Sequence, residues 1–309
     1  MKIRAYLRLM VAFPGALILS APLASPLWSQ TGTADAPDKA SEIVVTGKVE
    51  SPPAVLYKQA RAITHNAGSV YDVPLAQFQD PVCPGIINIP REIAEVMVSR
   101  IRSNAETIGV DVAREGKCEP NIIVAFVPSG QAMIKDFSSK KSYYFKHIPF
   151  EELKRLSADP GPVHAWVNTA TRSRHGDVLR GDDDAGLGNP PTLYVANSHS
   201  HIFFASRLDI LSSVVLIDLK AAVGKSAVQL ADYVTMRTFA RTQPPTDGGP
   251  VPTILSLFDG QEAQPFELTE FDVAYLRAVY GGIANINTAS KLGRITRELR
   301  KQQKERPAD

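Results

Sequence analysis

The sequence predicts an α+β fold, and three observations carry that prediction. "NIIVAFV", starting at Asn121, is a continuous apolar run of strand length, the pattern of a central strand covered on both faces. Just ahead of it Ile93, Met97, Ile101, Ala105 and Ile108 recur at helical spacing. Behind it, strand-like segments give way to two helical ones, 224–241 and 269–280. The core spans 80–282, a length suited to one domain with a sizeable interior.

At the amino end, Lys2, Arg4 and Arg8 precede an apolar run from Leu9 to Leu19, and small residues follow, with cleavage open after Ala24 or Ser29. This is the layout of a secretory signal peptide, here 1–29. A membrane anchor fits less well, because Pro14 and Gly15 interrupt a run already short of the roughly 20 residues that span a bilayer. Export to a periplasmic or secreted location follows as the expectation. It changes the reading of the only two cysteines, Cys83 and Cys118. In an oxidising space an even pair is expected to form a disulfide; two buried free thiols are the alternative. A metal site built on two thiolates is poorer still, since zinc takes about four ligands and no CxxC is present.

The formal net charge is +2, and removing the three positive charges of the acid-free leader leaves −1 for the mature chain. That near-neutral body argues against a dedicated nucleic-acid binder. Residues 283–309 are different. From Lys291 onward seven Lys or Arg face three Asp or Glu, and Leu292, Ile295 and Leu299 supply one narrow apolar stripe. The tail therefore reads as a basic, mostly solvated helix docked by that edge, with contact to an anionic membrane surface as a secondary use.

Residues 30–79 read as a flexible linker and lead-in, rich in Pro, Ala, Ser and charged residues. Within them Glu42-Ile43-Val44-Val45-Thr46-Gly47 resembles the segment near the mature amino terminus of TonB-dependent outer-membrane receptors, where an extended stretch adds to a partner's sheet edge. The likeness covers six residues, and no plug or series of barrel strands follows, so it implies a Gram-negative envelope and not a receptor.

Along the core, Pro90 is placed in a first helical turn and Gly109 at the helix end. Short helices are expected around 132–137 and 149–156, and strands around 163–171, 192–205 and 211–219. The glycines, prolines and acids of "RGDDDAGLGNPP" explain a solvated turn; Asp182, Asp183 and Asp184 lack the spacing of an EF-hand loop. In "LTEFDVAYLRAVYGG" Thr269 is the expected N-cap and Asp272 its capping-box partner, with Leu268 before them. Val273, Leu276, Val279 and Tyr280 form the expected buried face, and Gly281 ends the turn.

This order, together with that closing helix, resembles a zincin of the metzincin type. That is the metallopeptidase fold in which a long helix crosses beneath a mixed sheet and a second helix closes the domain. The resemblance covers about 90–282 and implies a metal-binding helix at 224–241. A peptidase helix needs H-E-x-x-H, because two histidines one turn apart bind one zinc while the glutamate polarises its water. In one register the ligand positions fall on Val228 and Asp232, with Gln229 as the base; in the next they fall on Gln229 and Tyr233, with Leu230 as the base. Neither register can do the chemistry, and no histidine follows His201. "PTILSLF" offers the tight apolar turn that underlies the metal in that fold, without its methionine. The chain is thus most similar to an uncharacterised class of exported bacterial proteins with zincin-like order and an eroded metal motif, in effect a pseudo-peptidase. No cofactor is expected.

On that helix Ala227, Leu230, Ala231, Val234 and Phe239 are expected to pack, and Lys225, Asp232 and Arg237 to reach water. His199 and His201 share one face of an extended segment and are the only alternative metal pair, yet no partner lies near them in sequence. Ser198 and Ser200 lack a GxSxG elbow. His65, His147, His164 and His175 are scattered, and "KKSYYFKH" reads as an amphipathic surface segment. Three functions remain open. They are a non-catalytic envelope domain binding a peptide, polymer or protein, a hydrolase with an atypical site at His199 and His201, and an assembly factor recruited through linker and tail.

Overall fold

In a computed structural model the described residues are 51–65, 73–140, 145, 148–179, 203–260 and 264–305. They form an α+β fold in the order α1 (Pro53–Ile63), β1 (Gln77–Phe78), β2 (Pro84–Ile87), α2 (Arg91–Ile108), β3 (Ile122–Val127), α3 (Gly130–Ser139), α4 (Phe150–Ala158), β4 (Val163–Ser173), β5 (Ser206–Asp218), α5 (Leu219–Ala222), α6 (Ala227–Phe239), α7 (Glu270–Tyr280), α8 (Thr288–Leu292) and α9 (Ile295–Glu305).

The sheet is mixed, and β5 is its hub. It pairs in parallel with β3, which pairs in parallel with β2, and its first half pairs in parallel with β1. On its other side β4 runs antiparallel along almost the whole strand, with a register shift at Asn168/Thr169. Strand alternation sorts the apolar side chains into two cores. Ile122, Val124 and Phe126 of β3 with Val215 and Ile217 of β5 join Met97, Ile101, Leu230 and Val234 from α2 and α6. Ala125, Val127, Val214 and Leu216 face the other way, onto Ile134, Leu156 and Trp166. The result is a three-layer arrangement, which is why β3 reads as uninterrupted apolar sequence.

The helices start and stop for local reasons. Pro90 is the N-cap of α2, one residue outside the turn where it was expected, because its extended ψ of 139° is not helical. Gly109 ends α2 at φ 80°, a left-handed conformation that costs glycine nothing. Both α6 and α7 open with complete capping boxes, Ser226 with Gln229 and Thr269 with Asp272. The buried face of α7 is broader than the sequence implied, adding Phe271, Ala274 and Tyr275, while Val273 and Tyr280 stay half-buried.

Three expectations are corrected. The lead-in is not all flexible: Leu56, Ala60 and Ile63 recur at helical spacing in α1 and are buried in the main core. Gln59 fastens α1 across the domain, donating from Nε2 to the Val251 carbonyl at 2.5 Å and accepting the Val251 N–H at 3.0 Å. β1 then joins the sheet, so the compact unit spans Val49–Asp309. The tail is two helices, not one. Asn287 caps α8, and Leu292 and Ile295 are almost wholly buried. β5 begins at Ser206, ahead of the expected 211; of the expected strand 192–205 only residues 203–205 are described, where Phe203 makes a lone bridge to Ile286.

Candidate functional site

Asp232 and Arg237 were both expected to reach water, but every residue from Gln229 to Phe239 is buried. A helix covered by the sheet, by α2 and by α7 has no solvent face, so its polar side chains must find partners inside. Asp232 turns toward α2 and accepts from Arg100 Nε and Nη2, both at 2.8 Å, from Asn104 Nδ2 at 2.7 Å and from the Leu268 N–H at 2.7 Å. Of the other motif-helix positions, Val228 is half-buried and Leu230 belongs to the core. Gln229 serves the capping box and donates to the Pro265 carbonyl at 2.9 Å. These residues hold the fold together and meet at no common site.

A different i,i+4 pair on α6 reaches a pocket through its arginine. Tyr233 and Arg237 lie one turn apart on α6, and Arg237 Nη1 donates to Tyr233 Oη at 2.8 Å. The Tyr233 ring packs edge-on against Phe258, in the apolar 3-10 turn Ile254–Phe258, with ring centroids 4.9 Å apart. Burial raises the Tyr233 phenol above its usual range, against the opposing pull of Arg237. Arg237 itself lines a pocket of about 370 Å³ between α4, the start of β4 and the end of α6. Arg155, Leu156, Ala158, Asp159 and Ala165 complete the lining. Arg237 is only 9% exposed, its Nε has no hydrogen-bond partner, and no carboxylate pairs with it among the described residues.

The rim is held by a network joining α1, α4 and the end of α6. Arg241 Nη2 donates to Glu152 Oε2 at 2.5 Å, and His65 Nε2 stands 3.4 Å from Arg155 Nη2. Burial first, then Arg155 and Arg241, lower the His65 pKa, while Glu152 and a hydrogen bond with Gln243 oppose them. His164 is structural. Its Nε2 donates to the Asp159 carbonyl at 3.1 Å and ties the end of α4 to β4.

The pocket stands beside the antiparallel strand β4. Among the described residues β4 pairs only with β5 along 163–171, and a single bridge from Arg172 to Val178 touches it beyond. Among the described residues its outer side there is a sheet edge.

A second cavity, of about 390 Å³, opens near the start of β5. Arg207 in its lining is answered by the buried Asp209 behind it: Arg207 Nε lies 2.8 Å from Asp209 Oδ1 and Nη2 donates to Oδ2 at 3.0 Å. Burial still raises the Asp209 pKa, against the pull of Arg207.

The zinc that a zincin-like helix implies does not fit this pocket. A guanidinium carries positive charge and no lone pair to give a metal, and no three His, Cys, Asp or Glu converge among the described residues. His199 and His201 lie outside the described residues. Cys83 and Cys118 are joined in a disulfide, with Cα atoms 6.1 Å apart. Sequence reasoning missed Arg155, Asp159, Ala165 and the role of Arg237. The one signal was the Tyr233–Arg237 spacing, one turn past Gln229 and Tyr233. The chain matches no protein-family model, no curated protein and no solved structure.

Proposed function

We propose that this chain is a non-catalytic, zincin-like domain of the cell envelope that holds an extended peptide, or an extended segment of a protein partner, in the cleft beside β4. The observation that carries this reading is the outer side of β4, a sheet edge among the described residues, next to a pocket of about 370 Å³. An exposed edge offers main-chain donors and acceptors to an added strand, and an adjoining pocket supplies side-chain selectivity. The element order supports the zincin-like part: an antiparallel edge strand, then the central strand β5, then the buried helix α6, then the capped α7. The positively charged leader and the disulfide support export. No helix among the described residues is long and apolar enough to cross a membrane.

Hydrogen exchange tests this reading. With an immobilised pool of random hexapeptides as the probe source, recovered binders added back to the protein are expected to slow amide exchange across 163–171. Ala165→Trp, which fills the pocket, is expected to weaken their binding at least tenfold with the fold intact. Protection elsewhere, with Ala165→Trp binding normally, would move the binding surface away from β4.

A further inference from the structure

The pocket beside β4 has a charge pattern that names its ligand more closely, granted the peptide-binding reading above. Two guanidiniums line it. Arg237 approaches from below, buried, with its Nε unpartnered and only the Tyr233 hydroxyl accepting from Nη1. Arg155 stands at the exposed rim, where its Nη2 lies 3.4 Å from His65 Nε2. The third arginine nearby, Arg241, is already taken by Glu152. Among the described residues the single carboxylate in the lining is that of Asp159, and its Oδ1 is engaged by the Gly161 N–H at 2.8 Å. The pocket thus carries about one unit of uncompensated positive charge at its floor.

Burying a guanidinium without a carboxylate is costly, and the cost is recovered when an anion enters with the planar, two-oxygen geometry that the fork of N–H donors matches. One net positive charge beside Asp159 suits a monoanion better than a dianion. We infer that the pocket between α4, β4 and α6 binds the terminal carboxylate of a peptide, with Arg237 and Arg155 as its donors. Direction follows from position. Ala165 lies near the start of β4, so a chain whose carboxyl end sits there and whose preceding residues lie along 165–171 runs antiparallel to β4, the better-bonded orientation for an added strand. About six residues fill that length at roughly 3.4 Å each.

The test uses the mature chain and two pools of N-terminally labelled random hexapeptides, identical except that one ends in a free carboxylate and the other in a carboxamide. The free-acid pool is expected to be retained at least tenfold better. Arg237→Gln is expected to bring the two pools to within about twofold of each other. Because Arg237 is buried and its variant can fail to fold, the exposed Arg155→Gln is measured alongside and is expected to reduce the preference about threefold or more. Equal retention of both pools by the native chain overturns the carboxylate inference and leaves peptide binding standing. Retention of neither pool overturns both. A carboxamide pool that binds as well as the free acid only when its last residue is Asp or Glu assigns the pocket to a side-chain carboxylate and overturns the terminal one.

Discussion

Arg100 grips Asp232 with two parallel hydrogen bonds, Nε to Oδ1 and Nη2 to Oδ2, each 2.8 Å long, and so bolts α2 to α6. The Asp232 carboxylate is fully buried, whereas the Arg100 side chain is 30% exposed. The two partners are therefore unequal when removed. Arg100→Ala strands a buried carboxylate with only Asn104 and the Leu268 N–H and is expected to cost about 3–5 kcal/mol. Asp232→Asn keeps the shape but sets an NH2 group against two of the four donors, and is also expected to fall below the parent. Urea denaturation of the three proteins checks both losses; equal stability of Arg100→Ala and the parent would show that the clamp contributes nothing.

The Cys83–Cys118 bridge closes a loop of sequence separation 35, anchoring the entry to β2 beside the entry to β3. In the chain-entropy model a loop of this size contributes roughly 3–4 kcal/mol by restricting the unfolded chain. The double substitution of both cysteines by Ala is expected to lower stability by about that amount. Thiol titration of the unreduced, unfolded protein should find no free thiol. Two reactive thiols per chain would contradict the bridge.

Asp272 supplies a pH dependence. Burial pushes its carboxyl up to about 6, although the Thr253 hydroxyl, the N–H groups of Ile254 and Thr269 and the Thr269 hydroxyl all bond to it and pull the other way. The folded chain therefore takes up this proton at higher pH than the unfolded chain, whose carboxyl titrates near the ordinary aspartate value of about 3.9. The sign follows: Asp272 makes the protein more stable as pH falls from about 7 through 6 toward 4, by on the order of 3 kcal/mol across the window. Asp272→Asn removes the titration. Subtracting its stability curve from that of the parent should leave a difference that slopes between pH 4 and 7; a flat difference would sink the assignment.

Lys291 belongs to the basic tail yet is fully buried, and its Nζ donates to the carbonyls of Val279 at 2.7 Å and Gly281 at 2.8 Å. It closes the C-terminal end of α7, where helical carbonyls lack partners. Burial, then Arg294, depress its pKa to about 8. Since the unfolded chain holds this proton up to about 10.4, stability linked to Lys291 rises as pH climbs from about 8 to 10. Lys291→Met leaves two acceptors unsatisfied and is expected to cost about 2–3 kcal/mol at pH 7. Thermal unfolding at pH 7 and pH 10 measures both effects. An unchanged melting temperature at pH 7 would mean that water replaces the ammonium.

The purified chain is expected to keep no stoichiometric zinc through gel filtration and to cleave no peptide pool in a chelator-sensitive way. Metal analysis and a cleavage assay decide it. One retained zinc per chain, together with activity lost on His199→Ala or His201→Ala, would replace the binding-domain reading with the hydrolase.

The sequence by itself determined the parts of this protein that rest on local rules. The apolar run of β3, the repeat of Met97, Ile101, Ala105 and Ile108 on α2, and the capping box of Thr269 and Asp272 each depend on residues a few positions apart. Where a segment carried only a partial apolar pattern, local rules misled. α1 was hidden among prolines and charges, and its order comes from Leu56, Ala60 and Ile63 docking on a core built from distant parts of the chain. The candidate site was less legible still. Asp232, Arg237 and Lys291 are residue types that ordinarily stay in water, and only the enclosure of α6 and α8 by other elements buries them. Whether a buried charge is paired then depends on what lies across the interface: Arg100 stands opposite Asp232, while among the described residues no carboxylate pairs with Arg237. Tertiary structure alone decided that difference, because it depends on which elements meet and not on the order of residues within any one of them.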